Sequence, residues 1–254
     1  MADSINIHNS AKVGKNVIIS GNVNIGAYTT IGHNSVIEGN INIGESNTIS
    51  NNVTLLNNIE IGSNNQIFQN SVIGTAPQHK KFSNNFSGKI SIGDENIFRE
   101  CVTIHLPTIE DKTIIGNRNF IMAYSHVAHD CVLFDDITIG NQTNLGGHVT
   151  LFSNSNLGLN TTVHQFCQIG SYSMVSMGST VTKDILPFAL FAKNTHSTIN
   201  IIGLQRNDIS SKDIAKIKKI YTNFNPTNFE SNDLWFEKLI QNFLKQSKRG
   251  FYTP

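Results

Sequence analysis

Three cysteines in 254 residues, at irregular spacing, make neither a disulfide framework nor a zinc motif, and so few thiols fit a reducing compartment. Charge of one sign is also missing. Nineteen basic and eighteen acidic side chains leave a formal charge of +1, with no basic run. A nucleic-acid scaffold is therefore disfavoured, because counterion release needs a clustered positive face. No apolar run reaches membrane-spanning length, and residues 1–15 lack the charged-then-apolar plan of a signal peptide, which points to the cytoplasm.

What the chain does have is a period of six. From Ile7 through Val13, Ile19, Ile25 and Ile31 to Ile73, an aliphatic residue returns every sixth position without a miss. The row resumes at Ile92, Phe98 and Ile104, breaks again, and runs from Ile115 to Val181, for 27 hexads in all. A fixed short repeat of this kind signals a solenoid in which stacked units share a continuous core. Three hexads closing one triangular turn give about nine coils, and at ~4.8 Å per coil a prism about 43 Å long. Glycine follows many of the aliphatic residues (Gly14, Gly26, Gly32, Gly44), as a corner requires where the chain turns. The position two before each aliphatic residue (Val23, Ile41, Val53, Ile59) supplies a second inward row, which Cys131 and Cys167 join as packing residues.

The chain therefore reads as a hexapeptide-repeat parallel β-helix over 1–185, with loops at 74–91 and 105–114, then a connector and C-terminal helical region over 186–254. Counted in threes, Ile73, Ile104, Val127, Leu145, Val163 and Val181 fall on one edge, so both loops leave from that edge. Loops this long in a tight solenoid are usually functional. After the connector, Ser210 or Ser211 caps a helix with an apolar face of Ile214, Ile217, Tyr221 and Phe224, and Pro226 ends it. A second helix from about Asn232 carries Leu234, Trp235, Leu239, Ile240, Phe243 and Leu244.

Histidines gather on the same edge: His105, His126, His129, His148 and His164 all stand close to its aliphatic residues, and are expected to face outward. Two chemistries use such a cluster. Imidazoles can converge on a metal at about 2.0–2.1 Å, or one neutral imidazole can act as a general base with a carboxylate holding its ring. Asp130 follows His129 directly, and histidines on successive coils line a groove better than they enclose an ion. The base is the preferred reading, with no metal and no cofactor.

Motifs on this edge carry a family resemblance. Ser125-His126-Val127-Ala128-His129-Asp130-Cys131, Gly146-Gly147-His148-Val149 and Val163-His164-Gln165-Phe166-Cys167, with Arg99-Glu100-Cys101-Val102-Thr103-Ile104-His105 upstream and Gly203-Leu204 downstream, resemble the acyl-carrier-protein-dependent UDP-N-acetylglucosamine O-acyltransferases that begin lipid A synthesis. The resemblance implies a left-handed parallel β-helix, a cytoplasmic homotrimer with sites between subunits, and transfer of a 3-hydroxyacyl chain from acyl carrier protein to the sugar 3-hydroxyl. It makes His129 the general base, Asp130 its orienting carboxylate, and Gly147 or His148 the oxyanion contact. His105, His126, His164, Gln165, Gln78 and Lys81 are implied to contact substrate, and Asn200 and Arg206 to reach the nucleotide. Met177, where some relatives have glycine, should shorten the acyl chain.

Three positions depart from the family pattern. His79 stands where an aspartate is usual, and Ile202 and Asn207 replace an acid and an arginine. Lost charge-assisted contacts of this kind leave room for an acyltransferase acting on another nucleotide sugar, including a 3-amino sugar. A trimeric zinc enzyme of the γ-carbonic-anhydrase type and a non-catalytic binding module on the same prism are the remaining alternatives.

Overall fold

The computed structural model describes residues 4–80, 82, 88–192, 194–222, 224–226, 229, 231 and 234–252. Lys81, residues 83–87 of the first loop and Asn232 are among those that lie outside them.

Most hexads contribute a short parallel strand ending at or near a buried aliphatic residue, and the strands stack into three faces. The first face pairs Leu55, Ile73, Ile104, Val127, Leu145, Val163 and Val181 in register, as the hexad count requires. The second stacks Ile61, Ile92, Ile115, Leu133, Leu151 and Ile169. The third runs from Lys12–Val13 to Thr195–Ile199 as an eleven-stranded sheet whose last strand is antiparallel, which leaves ten parallel rungs. The hexad count gives about nine because the final rung, Ala189–Ala192, lies beyond the end of the regular repeat. At the other end Ile7 and Val13 are exposed, since they belong to the first coil of the stack.

The corners follow one rule. In coil after coil the third residue past the buried aliphatic adopts a left-handed backbone, whatever its type: Asn52, Asn70, Arg118, Tyr124, Asp130 and His148 have φ of 57°, 62°, 54°, 61°, 60° and 61°. The glycines expected to turn the corner do not occupy that position. Gly26 and Gly116 have ordinary negative φ and are required for close approach instead, because a Cβ on either would come within 2.5 Å and 2.4 Å of the next coil.

The second inward row is only partly apolar. Asn47, Asn65, Asn96 and Asn119 are fully buried at the corner between the second and third faces. Each side-chain oxygen accepts the backbone N–H of the residue one coil on, at 2.9, 2.9, 2.9 and 2.8 Å. The ladder satisfies corner amides that no strand pairs, which buried backbone groups demand. Cys131 and Cys167 are buried as packing residues, and burial pushes both thiols up to about 12.

The segment after residue 185 holds more structure than a connector. An antiparallel pair, Ala189–Ala192 with Thr195–Ile199, closes the third face and leads into α1, Ile201–Arg206. Helix α2, Ser211–Thr222, is capped by Ser210, whose hydroxyl accepts the Asp213 amide at 3.1 Å, and buries Ile214, Ile217 and Tyr221. Helix α3 spans Trp235–Gln246 and buries Phe236, Ile240 and Phe243. Beyond it the chain returns to the prism: buried Asp184 accepts from Ser247 Oγ at 2.6 Å, and Asp184 N–H donates to Gly250 O at 2.9 Å. Among the described residues no helix is long and apolar enough to cross a membrane.

Candidate active site

Both loops bridge the corner between the first and second faces, leaving after Val72–Thr75 and Thr103–His105 and returning at Lys89–Ile92 and Lys112–Ile115. The next coil closes the same corner with Ala128, His129, Asp130 and Cys131. The second loop therefore lies directly against Asp130.

Adjacent strand residues point to opposite sides. The left-handed turn at Asp130 breaks that alternation and brings its Oδ2 to 2.7 Å from His129 Nδ1. His148, one coil on and also left-handed, places Nε2 3.3 Å from the same oxygen. The loop supplies the rest: Thr108 Oγ1 donates to Oδ2 at 2.5 Å, and the amides of Thr108, Ile109 and Glu110 donate to Oδ1 at 2.8, 3.2 and 3.0 Å. Burial alone would raise the Asp130 carboxyl, but the bonds from Thr108 and His129, with the loop amides, outweigh it and hold the group below the usual range. Asp130 is thus a buried, fully partnered anion. Its partner His129 keeps Nε2 without a protein partner among the described residues.

Around His129 lies a groove of about 410 Å3 lined by Gln78, His105, His126, Gly147, His164 and Gln165, among others. Sequence reasoning assigned all six to the site, and one chain brings them together with His129. They do not all face outward. His105 is 6% exposed, its Nδ1 has no partner, and burial, followed by repulsion from His126 and His129, lowers it to about 4. His126 is lowered for the same reasons, burial first, and its Nδ1 is paired with Thr103 Oγ1 at 2.7 Å. His148 is lowered by burial, against the opposing pull of Asp130, and its ring stacks on Phe166 at 4.4 Å. His164 and Gln165 are exposed, the His164 Nδ1 lying 3.1 Å from the Gln165 carbonyl.

The two candidate oxyanion amides differ. The His148 N–H donates to the His129 carbonyl at 3.0 Å. The Gly147 N–H has no such partner among the described residues, and Gly147 stacks on the His129 ring so closely that a Cβ would lie 2.7 Å from Nε2.

Met177, Asn200 and Arg206 are not brought to this groove within one chain. Met177 is 72% exposed on the opposite edge of the first face. Asn200 caps α1: its Oδ1 accepts the Gly203 amide at 3.1 Å and its Nδ2 donates to Tyr172 O at 2.9 Å. Arg206 is exposed in the last turn of α1. The sequence motifs give no role to Thr108, whose contacts arise only when the loop folds onto a residue 22 positions away, nor to Phe166, which stands inside one of those motifs and stacks on His148. His79, noted there only as a departure, lies edge-on to His129 with the ring centroids 5.5 Å apart.

A metal would draw on the same atoms. His129, Asp130 and His148 each present one donor within 4.8 Å of the others. Both Asp130 oxygens are already taken by Thr108, the loop amides and His129 Nδ1, so an ion would have to displace bonds at the carboxylate.

Comparisons with known proteins bear on the fold and the family. A solved structure of a UDP-N-acetylglucosamine acyltransferase from Bacteroides fragilis superimposes with a TM-score of 0.80 and 32% sequence identity, covering 99% of this chain and 99% of that one. The chain belongs to the UDP-N-acetylglucosamine acyltransferase family. A second family structure, from Francisella novicida, gives a TM-score of 0.77 at 31% identity, over 98% of this chain and 94% of that one. Residues 184–252 match the family model described as Udp N-acetylglucosamine O-acyltransferase, Domain 2. Among curated sequences, the acyl-[acyl-carrier-protein]–UDP-N-acetylglucosamine O-acyltransferases of Alkalilimnicola ehrlichii and Herminiimonas arsenicoxydans are 42% and 46% identical over 153 and 158 residues, or 59% and 61% of this chain. The chain spans 59% and 60% of the length of those two relatives.

Proposed function

We propose that the protein transfers a 3-hydroxyacyl chain from acyl carrier protein to the 3-hydroxyl of UDP-N-acetylglucosamine, as a cytoplasmic homotrimer in lipid A synthesis. The observation that carries this reading is the His129–Asp130 pair at 2.7 Å, with the free ring nitrogen directed to a groove. Asp130 holds Nδ1 as the donor, which leaves the Nε2 lone pair to accept a proton. That nitrogen takes the sugar hydroxyl proton as the oxygen attacks the thioester carbonyl. The carbonyl oxygen gains negative charge in the tetrahedral intermediate, and the unpartnered Gly147 N–H is the donor placed to meet it. Collapse expels the carrier thiolate, which recovers the proton from His129.

His105, His126, Gln78, His164 and Gln165 line the groove and contact the acceptor, and Lys81 is the further residue assigned to hold its sugar or diphosphate. Met177, Asn200 and Arg206 act from a neighbouring subunit, since one chain keeps them apart from His129. A second reading, an acceptor bearing a 3-amino group, is favoured by His79, which sets an imidazole against the base where the family usually places an acid.

Mass spectrometry of reactions containing 3-hydroxyacyl carrier proteins of graded length and either UDP-N-acetylglucosamine or its 3-amino analogue tests both readings. Product with the hydroxyl acceptor supports the first, and product with the amine alone supports the second. Product with neither, from a folded protein, sinks both. Elemental analysis of the same sample tests the zinc alternative.

A further inference from the structure

The loop after His105 makes a clamp on one carboxylate. Three successive amides, from Thr108, Ile109 and Glu110, converge on Asp130 Oδ1 at 2.8, 3.2 and 3.0 Å, forming an anion-binding concavity of backbone donors. Thr108 alone reaches both oxygens, its hydroxyl donating to Oδ2 at 2.5 Å. The same oxygen accepts from His129 Nδ1 at 2.7 Å, and Thr108 Oγ1 is itself 3.4 Å from that nitrogen. The loop is held in place at its start, where Leu106 N–H donates to Thr75 O at 3.0 Å, and at its end, where it enters the strand Lys112–Ile115.

We infer that Thr108 is a positioning residue for the base: its hydroxyl shares Asp130 Oδ2 with His129 and thereby fixes the imidazole and limits how strongly the carboxylate holds a proton on it. The inference rests on the acyl-transfer reading of His129. A carboxylate oxygen that already accepts one strong hydrogen bond has less charge to offer a second donor. Without the Thr108 hydroxyl, Asp130 would turn more of its charge toward His129 and favour the imidazolium, which cannot accept the substrate proton. The other ionisable groups facing His129 among the described residues are His79, His105, His126 and His148, with Glu110 acting on His148 from the loop. None of them replaces the hydroxyl at Oδ2, where His148 stands 3.3 Å away and Thr108 2.5 Å.

The test compares the full-length wild type with Thr108→Val, which keeps shape and all three amides, and Thr108→Ser, which keeps the hydroxyl. For Thr108→Val, kcat should fall about tenfold near neutral pH, the order for one lost hydrogen bond to a charged group, with little change in KM. The acid limb of the kcat/KM profile should move to higher pH, and Thr108→Ser should restore both. A valine variant with the wild-type rate and limb, or a serine variant as impaired as valine, overturns the inference. Should the wild type transfer no acyl group at all, the acyl-transfer reading fails separately. The clamp is then read by proton NMR of the His129 Nδ1–H, assigned by its loss in His129→Ala. A resonance moved downfield in Thr108→Val supports the shared oxygen, and an unmoved one overturns it.

Discussion

His129 Nδ1 and Asp130 Oδ2 lie 2.7 Å apart although the two residues are neighbours in sequence. The contact exists because the corner of each coil places its third residue in the left-handed region, and at this corner that residue is Asp130, with φ of 60°. The pair is therefore a product of the solenoid geometry as much as of the side chains. Its removal should be felt in chemistry before it is felt in folding. His129→Ala should lower kcat by about 10²–10⁴, the usual contribution of a positioned base, while circular dichroism and oligomeric size stay unchanged. Retention of wild-type turnover would sink the role given to His129.

Gly147 offers a narrower probe of the same nitrogen. A Cβ there would stand 2.4 Å from His129 Cε1 and 2.7 Å from Nε2, yet Gly147 has no positive φ that would penalise alanine. The clash falls on the ring and spares the backbone. Gly147→Ala should thus tilt the imidazole out of line and cost about 10²-fold in kcat, as misplacement by about 1 Å does, with a thermal midpoint close to wild type. An active Gly147→Ala enzyme would show that Nε2 does not face the reacting hydroxyl.

The buried histidines make stability depend on pH in a definite direction. His105 sits at about 4 in the folded protein against an ordinary 6.5, so the unfolded chain takes up the proton first. Its full contribution is present above about pH 6.5 and is lost as the pH falls toward 4, to a maximum of about 3 kcal/mol. His126 is displaced the same way and adds to the slope. Urea midpoints measured between pH 7 and 4.5 should fall for the wild type and fall less steeply for His105→Gln. Parallel slopes for the two proteins would remove His105 as the cause.

Much of this was legible in the chain because a solenoid writes its packing as a fixed period. The row ending in Ile73, Ile104, Val127 and Leu145 located the first face and the two loops, and so the edge that carries His129. The rest depends on contacts that no period records. Thr108 meets Asp130 only through the fold of a loop. The left-handed corner takes Asn most often but also Tyr, Arg, Asp and His, so residue type marks it only in part, and the glycines point to turning when their purpose is coil-to-coil contact. Asn200 caps α1 through contacts that only the fold creates, its Oδ1 accepting the Gly203 amide and its Nδ2 donating to Tyr172 O.

The asparagine ladder gives a prediction about stability alone. Asn96 is fully buried, accepts the Asn119 amide at 2.9 Å and donates to Asn65 Oδ1 and Gly116 O at 3.0 and 2.8 Å. Alanine there strands a backbone donor and a backbone acceptor in the core, and each such group costs about 1–3 kcal/mol. Asn96→Ala should lose ~2–6 kcal/mol on that basis, visible as a reduced urea midpoint, while the kcat of the folded fraction is unaffected. A midpoint equal to wild type would mean that water or relaxation satisfies the corner.

Met177 tests whether the site is shared between copies. Its position in the repeat, in line with Ala123, Asn141 and Leu159, puts it on the edge between the third and first faces. That is three coils beyond the Ala123 level, about 14 Å along the axis at ~4.8 Å per coil. A side chain so placed, and 72% exposed, meets an acyl chain at the His129 of a neighbouring copy if the site is shared as proposed. Met177→Gly should then lengthen the preferred acyl chain by about four carbons, the number of heavy atoms in the flexible thioether side chain removed, with kcat on the best substrate little changed. Graded acyl carrier proteins read the shift directly. An unchanged length preference would place the end of the acyl groove elsewhere and leave Met177 as an exposed residue of the prism.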